Sequence, residues 1–174
     1  MAHVIEGNYS GEGLRVGIIT SRFNEFVTQP MLDGAVNELR RAGVSEAALS
    51  VVWVPGAYEI PLACHNLCHS GKFDALVAIG CIIRGETSHY EHIAQSVCIG
   101  IQKVALEQGI PIGLGVITVE DMAQAIDRAG GKQGNRGRDA ARSALEMAQV
   151  LRKIKGGEER ETTFKELIAQ EFRK

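Results

Sequence analysis

The chain has 174 residues, enough for one domain with a real hydrophobic core and a short tail. Its composition, 45% hydrophobic and 23% charged, is ordinary for a soluble globular protein. The formal net charge of -2 argues against nucleic-acid binding, and no apolar run reaches the roughly 18–20 residues of a membrane span. The first residues do not resemble a signal peptide, so we expect a cytoplasmic protein with four free cysteines.

Strands and helices are predicted to alternate along residues 14–155. Residues 1–13 form a weakly patterned arm, in which "HVIEG" leaves an extra edge strand as an open alternative. The predicted elements after this arm are a strand at 15–20, a helix beginning near Pro30, a strand at 49–54, a helix at about 61–69, a strand at 73–83, a helix at about 87–108, a strand at 110–119, a short helix starting at Thr118 and a helix at about 138–154.

The predicted strands are apolar on both faces, which is typical of a parallel sheet with helices on both sides. We therefore predict an α/β fold, a three-layer sandwich around a four-stranded parallel sheet of flavodoxin-like or Rossmann-like type. Ligands of such sheets bind beyond the C-terminal strand ends. The loops of interest are therefore 20–24, 55–59, 84–89 and 118–121.

Residues 156–174 are predicted to be a separate C-terminal helical extension. Gly156 and Gly157 break the preceding helix, and Thr163 with Glu166 resembles a capping box. One face of the predicted helix is apolar, formed by Phe164, Leu167, Ile168 and Phe172. This pattern is typical of packing on the same or a neighbouring subunit, and a partner-recruitment helix is the alternative.

The segment "RGETSH" combines an anion site with a titratable ring. Gly85 permits a tight turn, and Glu86 and Thr87 are predicted in the first helical turn, where free N–H groups favour an anion. His89 follows, and its ordinary pKa suits proton exchange near neutrality. A helix cap with a surface histidine is the alternative. The Glu86 carboxylate would repel a phosphate unless it points away.

Two further loops carry aromatic residues. In "PGAYEIP" two prolines stiffen the loop, and Tyr58 with Glu59 suits a planar, polar ligand. Phe23 lies at the end of the first strand, where it could stack on the same ring. Taken singly, each aromatic residue is also typical of loop packing.

Arg128, Lys132 and Arg136 lie in a Gly-rich segment, and three cations can close on a phosphate. A solvated basic loop is an equally good interpretation. The sequence contains neither a Walker P-loop nor a GxGxxG motif after the first strand, so ATP and NAD are not indicated.

The segment "CHNLCH" places two cysteines and two histidines at i,i+4 spacing, but the two pairs occupy adjacent helix faces. No second cluster with zinc spacing follows, so we predict no metal site. His89 and His92 likewise lack the acidic partner of an HExxH motif.

Six motifs together resemble the 6,7-dimethyl-8-ribityllumazine synthase family. They are "SRFNE", "VPGAYEIP", "IIRGETSHYEHI", "GVITVED", "QAIDRAG" and "GKQGNRG", in the family's order and spacing between about residues 15 and 154. The resemblance implies a transferase of riboflavin biosynthesis. Its reaction, the penultimate step, condenses 5-amino-6-(D-ribitylamino)uracil with 3,4-dihydroxy-2-butanone 4-phosphate, with no metal or organic cofactor.

The resemblance also implies residue roles. His89 matches the family's proton-transfer histidine. The residues that match the ribitylaminouracil site are Phe23, Ala57, Tyr58, Glu59, Cys81, Ile82, Ile83 and Leu114. The residues that match the phosphate site are Glu86, Thr87 and Arg128, with Lys132 and Arg136 at two further basic positions.

Three positions depart from the family pattern. Leu114 stands where many members carry an aromatic ring, Glu86 replaces a smaller residue, and Arg136 replaces a frequent lysine. The departures concern affinity more than reaction type, and they motivate an alternative, a low-activity lumazine- or flavin-binding shell protein. Family members are homopentamers with sites shared between subunits, and the short loop near "GGKQGN" permits a 60-subunit icosahedral capsid of twelve pentamers.

Overall fold

Four parallel strands form the central sheet, in the order β2-β1-β3-β4. The computed structural model describes residues 4–156. The strands are β1 (Val16–Ser21), β2 (Leu49–Val54), β3 (Ala75–Ile83) and β4 (Ile112–Val119). β1 is buried along its whole length and β3 along nearly all of it, because both are interior strands covered on two faces.

Helices pack on both faces of this sheet. They are α1 (Glu25–Arg41), α2 (Ile60–His69), α3 (His89–Gln108), α4 (Met122–Arg128) and α5 (Arg136–Gly156). One hydrophobic core lies between the sheet and α1, α4 and α5, and a second lies between the sheet and α2 and α3. The predicted three-layer α/β fold is confirmed.

The first helix begins five residues earlier than its sequence indicated. A start near Pro30 was the wrong prediction, because Pro30 lies within the second turn of α1. The carbonyl of Asn24 accepts hydrogen bonds from the N–H groups of Val27 and Thr28. Val27 and Met31 are also fully buried, so core packing outweighs the hydrogen bond that a proline inside a helix removes.

Two other helix starts differ from prediction. α3 begins at His89, so Glu86 and Thr87 lie in the turn before it and not in its first turn. α4 begins at Met122, because the Asp121 carboxylate caps it by accepting from the N–H of Gln124 at 2.8 Å. Thr118, predicted to start that helix, instead belongs to β4.

The Gly-rich segment after α4 is more ordered than predicted. It forms a two-stranded antiparallel hairpin, β5 (Ala129–Gly131) and β6 (Gly134–Asn135), which leads directly into α5. Asn135 holds this hairpin in place, since its side-chain amide donates to the carbonyls of Pro30 and Ala129. α5 therefore starts two residues before the predicted position.

Residues 4–13 of the N-terminal arm lie along α5. The Lys153 ammonium donates to the Glu6 carbonyl at 2.6 Å, and the Gln149 amide donates to the Ser10 carbonyl at 2.7 Å. Residues 4–15 contain no strand, so the extra edge strand is not formed in this part of the chain. The helix predicted within 157–174 lies outside the described residues. No helix between residues 4 and 156 is long and apolar enough to cross a membrane.

Candidate active site

A cavity of about 310 Å³ opens where β1 and β3 end and α3 begins. This is the edge of the sheet at which a parallel α/β fold binds its ligands. Eight of the predicted site residues line it: Phe23, Ala57, Tyr58, Cys81, Ile82, Ile83, Thr87 and His89. The predicted loops therefore converge on one place, with an apolar wall on one side and a histidine at a helix start.

Phe23 presents an exposed ring on a fixed backbone. Its side chain is 70% exposed, although it lines the cavity. Its N–H donates to the Pro55 carbonyl at 2.9 Å, and its carbonyl accepts from the Ser21 hydroxyl at 3.3 Å. The position of the backbone that carries the ring is therefore fixed, and the exposed ring is accessible for stacking on a planar ligand.

The loop after β2 is closed by Glu59. Its carboxylate accepts from the Gly56 N–H at 2.9 Å, which stabilises the single 3-10 turn Ala57–Glu59. Ala57 and Tyr58 line the cavity, whereas Glu59 does not. The predicted ligand-binding carboxylate thus has a structural bond within its own loop.

The turn before α3 presents its small residues to the cavity. Gly85 and Thr87 line it, while Glu86 is exposed and lies outside the lining. The carboxylate therefore does not occupy the cavity. Arg84 anchors the turn, since its guanidinium pairs with Glu120 at 2.9 Å and lies 5.6 Å from the centre of the Tyr90 ring.

His89 is the first residue of α3 and lines the cavity. Backbone N–H groups in the first turn of a helix lack intrahelical partners, and the helix dipole adds partial positive charge there. An imidazole ring therefore lies beside a helix start that favours an anion.

The end of β3 supplies an apolar wall. Cys81 is buried, and burial raises the pKa of its thiol to about 11, so the thiol stays protonated near neutrality. Ile82 and Ile83 continue the wall towards the turn. This part of the cavity suits a ring and supplies no activated nucleophile.

Besides Glu59 and Glu86, four predicted site residues lie outside the cavity lining of their own chain. Leu114 is 51% exposed on β4 and borders a separate depression of about 540 Å³ between α3, β4 and α5. The Arg128 guanidinium donates to the Gln124 carbonyl within α4, and the Arg136 guanidinium pairs with Asp139 at 3.2 Å. Lys132 is exposed in the β5–β6 turn.

The "CHNLCH" segment is divided between core and surface. Cys64 and Cys68 are buried in the core beneath α2, where burial raises the pKa of the Cys64 thiol to about 12. His65 and His69 stack on each other on another face, with ring centres 4.7 Å apart. Residues 4–156 contain no group of three or more side chains able to hold a metal ion.

Four cavity residues were not among the predicted site residues, although the predicted loops 55–59 and 84–89 contain the two glycines: Gly56, Gly85, Tyr90 and Ile93. Helical spacing could have identified Ile93, because it lies four residues after His89 on the same face of α3. The two glycines have no side chain to suggest a ligand.

A family model described as 6,7-dimethyl-8-ribityllumazine synthase matches residues 13–152. The match covers well over half of the chain and includes the whole sheet and every residue that lines the cavity. The resemblance of the six motifs is thereby confirmed. The chain belongs to this family, which identifies it as a transferase of riboflavin biosynthesis.

Proposed function

We propose that this member of the 6,7-dimethyl-8-ribityllumazine synthase family condenses 5-amino-6-(D-ribitylamino)uracil with 3,4-dihydroxy-2-butanone 4-phosphate, giving 6,7-dimethyl-8-ribityllumazine. The observation that carries the proposal is the cavity in which the Phe23 ring, the apolar end of β3 and His89 meet. One half suits a flat heterocycle, and the other suits an anion beside a proton carrier.

The heterocycle half is built from aromatic and aliphatic side chains. Phe23 and Tyr58 offer ring faces, and Ile82 and Ile83 supply apolar surface. A uracil ring stacked between such groups is held by its flat surface. Its polar edge is left for hydrogen bonds from the loop that contains Ala57.

The phosphate half is the turn from Gly85 to Thr87. Free N–H groups at the start of α3 and the Thr87 hydroxyl are suitable donors to a phosphate. Because Glu86 is exposed, water and salt screen the repulsion between its charge and a phosphate. Arg128 would add a cation, which both orients the phosphate and stabilises it as it leaves.

The chemistry needs positioned substrates and proton transfers. The amine of the uracil attacks the ketone to give a carbinolamine, which loses water to form an imine. Phosphate is then eliminated, and ring closure with loss of a second water gives the lumazine. His89 is the proposed proton carrier for these steps. Holding two substrates in register supplies much of the remaining acceleration.

We further propose that a complete site lies between two subunits of a homopentamer. Leu114 is half-exposed on a sheet edge, and Arg128 lies outside the cavity lining of its own chain. We therefore assign both residues to the site of a neighbouring subunit. Mixing His89→Ala subunits with Arg128→Ala subunits tests this. Sites shared between subunits would regain activity in the mixture, and sites within one chain would not.

The decisive assay incubates purified protein with both substrates and follows lumazine fluorescence. We expect turnover above the uncatalysed rate, and turnover equal to that rate would overturn the synthase assignment. A lumazine- or flavin-binding shell protein is the second candidate, because the aliphatic Leu114 stands where an aromatic ring would strengthen stacking. Tight lumazine binding without turnover would favour that candidate.

A further inference from the structure

Asn24 adopts a backbone conformation that L-residues rarely take. Among residues 4–156 it is the one non-glycine residue with positive φ, at φ 60° and ψ 40°. This left-handed conformation crowds Cβ against the following carbonyl, and asparagine tolerates it better than most residues. Asn24 lies directly after Phe23, so the unusual conformation stands beside the cavity.

The Asn24 side chain connects two strand ends. Its amide Nδ2 donates to the Cys81 carbonyl at 2.9 Å, a partly buried bond between residues 57 positions apart. Its own carbonyl accepts from Val27 and Thr28 and so begins α1. Asn24 therefore joins the end of β1, the first turn of α1 and the cavity wall of β3.

The Phe23 backbone is consequently held on both sides. Before Phe23, the Arg22 N–H donates to the Val54 carbonyl. The Phe23 N–H donates to the Pro55 carbonyl. After it, the amide of Asn24 fixes the chain to Cys81. Phe23 is nevertheless 70% exposed, so its ring has little packing of its own, and the backbone sets the point beside the cavity from which the ring projects.

We propose that Asn24 is a positioning residue that acts through Phe23 and aims the ring at the heterocyclic substrate. The inference rests on the proposed function, because it assigns Phe23 to ribitylaminouracil. The left-handed conformation turns the chain after Phe23, and the bond to Cys81 fixes that turn relative to the cavity wall.

Asn24→Asp and Asn24→Gly test the hydrogen bond to Cys81 while the left-handed conformation is kept. Aspartate and glycine both tolerate the left-handed conformation, but neither can donate to the Cys81 carbonyl. We expect both variants to raise the KM for ribitylaminouracil by about tenfold, the effect of one lost hydrogen bond that leaves a partner unpaired. The KM for the butanone phosphate should change less than about twofold, since a small shift of Phe23 leaves the phosphate turn intact.

Asn66→Asp is the matched control. The Asn66 amide also donates to a backbone carbonyl, that of Leu62 at 2.8 Å, but on the exposed side of α2. This variant should keep both KM values. The unfolding temperature of all three variants shows whether a kinetic change comes from lost stability alone.

Unchanged KM values in both Asn24 variants, or equal rises for the two substrates, would overturn the positioning role. A lower unfolding temperature with wild-type kinetics would also overturn it. If the wild-type chain binds lumazine without turnover, the synthase assignment fails but the positioning role of Asn24 can still be tested. The Kd for lumazine is then measured in the variants instead of KM. A wild-type chain that neither turns over nor binds lumazine would overturn both proposals.

Discussion

The Glu59 carboxylate and the Gly56 N–H form a hydrogen bond of 2.9 Å across the loop that follows β2. The bond closes the turn that presents Ala57 and Tyr58 to the cavity. Sequence motifs predicted Glu59 as a substrate ligand, and the structure gives one of its oxygens a partner within the loop. Glu59 therefore stabilises the shape of the loop in addition to any contact with the substrate.

Glu59→Gln and Glu59→Ala should distinguish the role of Glu59 in the shape of the loop from the role of its charge. Glutamine keeps an oxygen that can accept from Gly56, so Glu59→Gln should retain wild-type stability. Glu59→Ala loses the bond and should lower the free energy of unfolding by about 1 kcal/mol. It should also raise the KM for ribitylaminouracil further than Glu59→Gln does. Equal unfolding free energies for the two variants, measured in urea, would remove the role in the loop.

His89→Ala should slow turnover on the order of a hundredfold without abolishing substrate binding. The imidazole carries protons in the proposed reaction, whereas the cavity walls that bind the ring remain. The measurements are kcat and the Kd for lumazine. His92→Ala is the control, because His92 is exposed on the same helix but does not line the cavity. A kcat unchanged by His89→Ala would exclude the residue from the mechanism.

Arg128→Ala should raise the KM for the butanone phosphate by about tenfold and affect the uracil substrate little. A charge-assisted hydrogen bond to phosphate is stronger than a neutral one, so its loss should be large and selective. Steady-state kinetics with each substrate varied in turn provide the test. Arg41→Ala, at an exposed position in the last turn of α1, is the control for lost positive charge. An equal loss for both substrates would contradict a phosphate role.

The sequence predicted those parts of the fold that depend on local apolar pattern. β1 and β3 were recognisable because strands buried on both faces are almost wholly apolar. The start of α1 was not, because Pro30 is a strong local signal and the burial of Val27 and Met31 is a tertiary effect. The β5–β6 hairpin was hidden for a similar reason, since it depends on Asn135 reaching the distant Pro30 carbonyl.

The candidate site shows the same division. Loops at the C-terminal strand ends could be chosen from topology, and eight predicted residues do line one cavity. The position of Glu86 outside the lining could not be predicted, because it depends on where α3 begins. Asn24 was also missed, because a left-handed conformation leaves no periodic pattern in the sequence.

Alkaline pH should destabilise the protein through its buried thiols. The folded-state pKa values of Cys64 and Cys81, about 12 and about 11, exceed the roughly 8.5 of an unfolded cysteine. Between these values the folded state binds more protons than the unfolded state. The free energy of unfolding therefore falls as the pH rises above about 8.5, and the contribution is intact below that pH.

The test compares urea unfolding of the wild type and Cys64→Ala between pH 7 and 10. Other groups also titrate in this range, so the informative quantity is the difference between the two slopes. Cys64→Ala should show the shallower fall with pH, although its stability at pH 7 is reduced by the smaller side chain. Parallel slopes would show that the thiol of Cys64 does not contribute.

Gly137 determines how closely α5 approaches α1. A Cβ at this position would overlap the Met31 carbonyl, which is backbone and cannot move aside as a flexible side chain would. Gly137→Ala should therefore lower the free energy of unfolding by about 1–3 kcal/mol, despite the better helix propensity of alanine. Gly156→Ala, in the same helix, is the control, since within residues 4–156 the added Cβ would have no atom within 4 Å beyond its chain neighbours and the backbone of its own helix. Equal unfolding temperatures for the two variants would mean that α5 can shift away from α1 at little cost, and the hairpin that leads into α5 would then have to move with it.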